Sequence, residues 1–144
     1  MHPRIEELLD HLDRRRSEVR SAVDSVPVDR HQIQPNGQWS VVNVIEHLAM
    51  VEGGVASFFR KRIDDARTTG LGPETETSSV LEQPVFGNIL NRSLKIRGSD
   101  AVRPVSGIDT EAAWRSLEAT RLQLREVVTS ADGLAIGELT HHLA

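Results

Sequence analysis

Six histidines and a set of acidic side chains are the groups in this chain with chemistry to offer, and His47 has the most informative setting. It closes the run Trp39-Ser40-Val41-Val42-Asn43-Val44-Ile45-Glu46-His47-Leu48, which carries a helical period. At about 100° per residue, the imidazole falls roughly 90° from the middle of the apolar stripe, beside Val44 and Val51. A side chain there borders the groove between packed helices and can meet residues from a neighbour. Two roles stay open: a hydrogen-bonded structural histidine, or one ligand of a divalent metal that needs further donors. Glu46 points outward on the same wheel. Glu52 falls within the apolar stripe, where a buried carboxylate is costly unless paired, and Arg15 or Arg121 from another helix is the expected partner. Its roles are a structural ion pair or a carboxylate supporting the site.

The remaining histidines are less promising. His141 and His142 are neighbours, so on a helix they diverge by about 100° and cannot both face one point. His2, His11 and His31 have no partner at ligand spacing. The chain has no Cys, which excludes disulfides, thiolate metal sites and a cysteine nucleophile. No Ser–His–Asp arrangement is readable. Gly70-Leu71-Gly72-Pro73 lacks the following Gly, Lys and hydroxyl of a phosphate-cradling loop.

Three helices must position these groups. The first runs from about Pro3 to Val26 through Ile5, Leu8, Leu9, Leu12, Val19, Ala22 and Val23, with Arg14-Arg15-Arg16 read as a solvated face. The second is capped by Ser40 and steps through Val41, Val44, Leu48, Val51, Val55, Phe58 and Arg62, with Val42, Ile45, Phe59 and Ile63 widening the stripe. It stops near Ala66–Gly70, and Gly53-Gly54 inside it points to a close helix–helix approach. The third starts near Asp109 or Thr110 and continues to about Thr129 through Trp114, Leu117, Arg121, Leu124 and Val128, flanked by Ala113 and Val127. Between the second and third lie about forty residues rich in Pro and Gly, read as a crossover or a lid, with a short helix at 86–94.

Composition sets the outer bounds. With 144 residues this is one domain, residues 1–144, and 38% hydrophobic against 26% charged residues describes a chain able to bury a core. The net charge of -4 argues against a general nucleic-acid binder. No apolar run approaches the roughly 18–20 residues of a membrane span, and the N-terminus lacks a signal-peptide core, so no membrane association and a cytoplasmic address are expected. Five aromatic residues are too few for a sheet sandwich, so the class is all-α.

Trp39-Ser40, an aliphatic run, Glu46-His47-Leu48 and then Glu52 together resemble the signature of the DinB-like superfamily. The preceding Pro35-Asn36-Gly37-Gln38 is similar to that family's turn into its second helix. Leu94-Lys95-Ile96-Arg97 followed by Val102-Arg103-Pro104-Val105-Ser106-Gly107 resembles its basic segment ending in a proline, and a helix carrying Trp114 and Arg121 follows. The resemblance spans about residues 4–140. It implies an up-down four-helix bundle with a long crossover between the second and third helices. It also implies a divalent metal (nickel, zinc or iron) held by three histidines, the first of them His47. The other two would come from a His-x-x-x-His spacing on the fourth helix. Relatives of this kind are metal-dependent thiol S-transferases and a thiol-dependent isomerase, so the implied substrate is a small thiol.

This sequence departs from that pattern at its end. It contains no His-x-x-x-His spacing, and after Gly137-Glu138-Leu139-Thr140 only His141 and His142 stand in as weak metal candidates. The fourth helix is missing or a stub. Its absence would expose the stripes of two neighbours, which predicts self-association as a homodimer. The first functional expectation is therefore a metal-dependent, thiol-transferase-like or hydrolase-like enzyme with an incomplete triad. The alternative is a non-catalytic helical module that binds a small ligand or a protein partner beside His47, or that dimerises through a face containing Val51, Phe58 and Leu124.

Overall fold

The structure, a computed structural model, describes residues 1–82, 103–104 and 107–138. Over these residues the chain is all-α, with three main helices and no strand: α1 (Pro3–Asp24), α2 (Val41–Thr69) and α3 (Thr110–Ser130). Short 3-10 turns occupy Val28–Arg30, Pro35–Gly37 and Ile136–Glu138. The expected short helix at 86–94, and most of the basic segment before α3, lie outside the described residues.

Local chemistry accounts for each helix end. Pro3 sits at the start of α1, where a missing N–H costs nothing, and His2 caps it by accepting from the Arg4 N–H at 3.3 Å. The helix ends at Asp24, two residues before the sequence expectation, because Ser25 caps it and Pro27 follows. Ser40 and Asn43 form a reciprocal capping box at the start of α2, with Ser40 Oγ 3.1 Å from the Asn43 N and Asn43 Oδ1 3.0 Å from the Ser40 N. Gly70 stops α2 at φ 79°, a left-handed conformation that glycine adopts without steric cost. Asp109 caps α3 through the Ala112 N–H at 2.7 Å.

The core pairings fix the helix directions. Val42, Ile45 and Ala49 pack with Ala113 and Leu117, while Ala56 and Ile63 pack with Leu124, Val127 and Ala131. Residue numbers rise together, so α2 and α3 run parallel, and the long linker carries the chain back the length of a helix. α1 lies antiparallel to both: Ile5 and Leu9 join the Ile63 end, and Val23 joins the Val42 end. A parallel pair of this kind is what a long crossover between the second and third helices requires.

α2 approaches α3 closely at Gly53, where a Cβ would stand 3.3 Å from Thr120 Cγ2. That is the close approach the sequence signalled. Gly54 faces open space instead, and no contact explains it. α2 also corrects the hydropathy expectation. One 18-residue window within Pro35–Thr69 reaches a mean hydropathy of 1.2, long and apolar enough by length and composition to cross a membrane. Glu46 and Glu52 interrupt that stretch and mask it to inspection.

Candidate functional site

The approach to α2 is built on a histidine that its spacing did not single out. His31 is buried, with Nε2 2.8 Å from the Val26 carbonyl and Nδ1 2.7 Å from the Thr110 hydroxyl. A carbonyl can only accept, so Nε2 carries a proton, and in the neutral ring Nδ1 then accepts from the Thr110 hydroxyl. The ring thereby ties the end of α1 to the start of α3. The His31 carbonyl accepts from the Val42 N–H at 3.2 Å, and Gln34 Nε2 donates to Asn43 Oδ1 at 2.9 Å. These bonds, with the capping box, set the turn that presents Trp39 and starts α2.

His47 follows two turns later, half-buried, with its ring centroid 4.8 Å from that of Trp39 and the planes tilted by 54°. On α2 it lies roughly opposite Ala49 and Ala56, which face α3, at about 100° per residue. Glu46 is placed differently from the sequence expectation. It is 6% exposed rather than outward-pointing, and Asn43 Nδ2 donates to it at 3.4 Å. The expectation failed because it centred the buried side of α2 on Val44, Leu48 and Val51. The buried side is instead Val42, Ile45, Ala49, Ala56 and Ile63, which turns Glu46 inward and leaves Val44 43% exposed.

Glu52 is paired, as its position in the stripe required. Its carboxylate accepts from Arg121 through Nε at 3.3 Å and also through Nη2, and from Arg16 Nη2 at 2.6 Å. Arg121 was the expected partner. Arg15 was not confirmed: it pairs on the surface with Glu18, and Arg16, one position on, faces the core. So the arginine run of α1 is not uniformly solvated. Arg121 also donates to the Leu12 carbonyl at 2.7 Å, and Arg20 lies over the Trp114 ring at 4.5 Å. This layer joins all three helices between the two apolar clusters, an arrangement suited to fixing helix register.

The largest change in the picture is a groove that runs across all three helices. It has a volume of about 340 Å³ and is walled by Leu8 and Leu12 of α1, Val55, Phe58 and Phe59 of α2, and Leu124, Val127 and Val128 of α3, with His11 and Arg62 also lining it. Phe58 and Phe59 pack edge to face, centroids 5.6 Å apart, and stay 39% and 46% exposed. Val55, Phe58 and Arg62 belong to the α2 stripe drawn by the sequence, and Phe58 and Leu124 to the face it expected to be exposed for dimerisation. Here they line an open surface.

The other histidines fall in two groups, those placed elsewhere in the fold and those not described. His2 caps α1, His11 lines the groove, and His141 and His142 lie outside the described residues. Among the described residues, no group of three or more His, Asp or Glu stands close enough to hold a metal ion. Comparison of the chain with protein-family models, with curated proteins and with solved structures finds no match in any of the three.

Proposed function

We propose that this chain is a helical binding module whose inter-helix groove takes the same face of a second copy, forming a homodimer. The groove itself carries this reading: three helices converge on it, its walls are almost wholly apolar, and two phenylalanines stand half out of it. A contiguous exposed apolar patch rimmed by polar side chains such as His11 and Arg62 is the kind of surface that a partner covers. A two-fold contact lets the Phe58–Phe59 pair of each copy enter the groove of the other, so one patch serves both sides. A stable contact of this kind buries about 1,000 Å² or more. Sedimentation velocity tests it: the wild type should run as a dimer and Phe58→Asp as a folded monomer. A clean wild-type monomer at high protein concentration removes the reading.

The contact of Trp39 with His47 favours a second reading. The capping box and the turn before it bring together the two residues that anchor the resemblance to DinB-like proteins. In that reading the chain is a four-helix-bundle protein that takes a divalent metal (nickel, zinc or iron) at His47, for thiol-transferase-like chemistry on a small thiol. Its further ligands would come from beyond Glu138, with His141 and His142 the nearest histidines. Metal analysis of purified protein decides it: stoichiometric metal that disappears in His47→Ala supports it, and metal content near zero in both proteins ends it.

A further inference from the structure

A second space, of about 200 Å³, lies between the first turns of α1 and the turn that follows α3. Ile5, Leu8, Val80, Leu134 and Ile136 give it apolar walls, and Arg4 and Glu74 add a charged lining. The backbone around it is tied in place. The Ala135 N–H donates to the Gly72 carbonyl at 3.1 Å and the Glu74 N–H to the Gly133 carbonyl at 2.9 Å. The Val80 N–H donates to the Glu7 carboxylate at 2.8 Å, which also accepts from the Ser79 hydroxyl. Arg4 has a more particular setting. Its Nη1 donates to Glu74 at 3.1 Å, and the two side chains are 18% and 11% exposed, so the charges balance within a shielded pair. Nε is closed off from water and, among the described residues, finds no acceptor. A guanidinium presents Nε and Nη2 as one side-on edge, and the bond to Glu74 does not use it. A buried donor in this state costs stability until an acceptor reaches it.

We propose that this space binds a small neutral molecule, a short apolar chain carrying a carbonyl group whose oxygen accepts from the Nε–Nη2 edge of Arg4. Size is the first reason. An apolar cavity of about 150 Å³ admits benzene, so a space somewhat larger suits a molecule of about eight non-hydrogen atoms. The walls are the second, since five aliphatic side chains match a hydrocarbon chain and the open guanidinium edge fixes one end of it. Charge is the third. Glu74 already balances Arg4, so a carboxylate would bring another negative charge beside a shielded one, whereas a carbonyl oxygen meets the donor without that penalty. The site stands apart from the homodimer. Leu8 and Ile136 border both spaces, but Arg4, Glu74, Val80 and Leu134 line this one and not the groove.

Titration of the 15N-labelled full chain with 2-heptanone, followed by amide shifts, tests the site. Saturable shifts are expected at Ile5 and Leu134 with a Kd in the millimolar range. Hexanoate, of equal size, should bind roughly fivefold more weakly at neutral pH. Arg4→Lys keeps a cation for Glu74 but lacks the side-on edge, and should weaken the ketone about tenfold. Val80→Phe changes a wall residue outside both apolar clusters and fills the space, so it should abolish binding. It serves if the first variant fails to fold. Absence of saturable shifts up to the solubility limit of the ketone overturns the site, as does binding that persists in Val80→Phe. Shifts confined to Val55 and Phe58 place the probe in the groove and overturn it equally. Unchanged affinity in Arg4→Lys overturns the contact with Arg4, and tighter binding of hexanoate overturns the choice of a neutral ligand.

Discussion

Glu52 of α2 and Arg121 of α3 are joined by two hydrogen bonds in the layer between the two apolar clusters, with Arg16 of α1 on the same carboxylate. The three side chains are 15%, 10% and 12% exposed, so their charges are largely cut off from water. Removing Glu52 leaves Arg121 buried without that counter-charge and Arg16 with only the half-exposed Glu118, 3.6 Å away. Glu52→Gln should therefore cost about 3–5 kcal/mol, read from urea denaturation. Replacing the whole cluster by Arg16→Met, Glu52→Met and Arg121→Met together should bring stability back near wild type, since the desolvation cost goes with the charges. A triple variant as unstable as the single one would show that the layer contributes net stability as well as register.

The adjacent glycines of α2 should respond with opposite sign. Gly54→Ala meets nothing within 4 Å and should gain up to about 1 kcal/mol from helix propensity. Gly53→Ala places its methyl 3.3 Å from Thr120 Cγ2, and Thr120 is held by its hydroxyl on the Leu117 carbonyl at 3.0 Å, so rotation away loses a bond. It should be the less stable of the two variants. Thr120→Ser keeps that hydroxyl and deletes the obstructing methyl, so the Gly53→Ala, Thr120→Ser pair should recover stability relative to Gly53→Ala alone. A double-mutant cycle in thermal denaturation reads the coupling directly.

The helices were legible in the sequence, and the face of α2 was not. Ser40 and Gly70 mark the ends of α2, and the buried set of α3 (Ala113, Leu117, Arg121, Leu124, Val127) is close to the stripe its spacing draws. On α2 the large residues Val55, Phe58 and Phe59 dominate the hydrophobic pattern, yet the small ones, Ala49, Gly53 and Ala56, let α3 approach. Size of side chain and closeness of packing work against each other there, and periodicity registers only the first. The two faces lie about 100° apart, which is why Glu46 was read as outward. The groove was foreseen only through the apolar stripes that the sequence reading expected to stand uncovered on neighbouring helices. His31 was invisible because its partners, Val26 and Thr110, are set by the path of a loop rather than by any helical period.

His31 should be costly to lose. His31→Ala empties a buried ring position and leaves the part-buried Val26 carbonyl and Thr110 hydroxyl without this partner, which should cost about 1–3 kcal/mol in chemical denaturation. Long-range 1H–15N spectra of the neutral ring should show the proton on Nε2, with Nδ1 in the unprotonated range. The opposite tautomer would mean that the contact with the Val26 carbonyl is not a hydrogen bond in solution.

Glu7 sets a pH dependence whose sign follows from its bonds. The Ser79 hydroxyl and then the Val80 N–H hold its carboxyl below the ordinary value, burial opposes them, and Arg4 and His11 add to the lowering. Protons therefore bind the unfolded chain more readily than the folded one at this group. Its contribution to stability is fully present above about 4.3, the ordinary glutamate value, and is lost as the pH falls through the lower native value. Wild type and Glu7→Gln should differ in Tm by a constant amount at neutral pH, and the gap should close at more acidic pH, below that ordinary value. Val80 amide exchange, corrected for its intrinsic pH dependence, should rise over the same interval in the wild type and stay flat in Glu7→Gln. A gap that widens in acid would place the proton on a different group and take the titration away from Glu7.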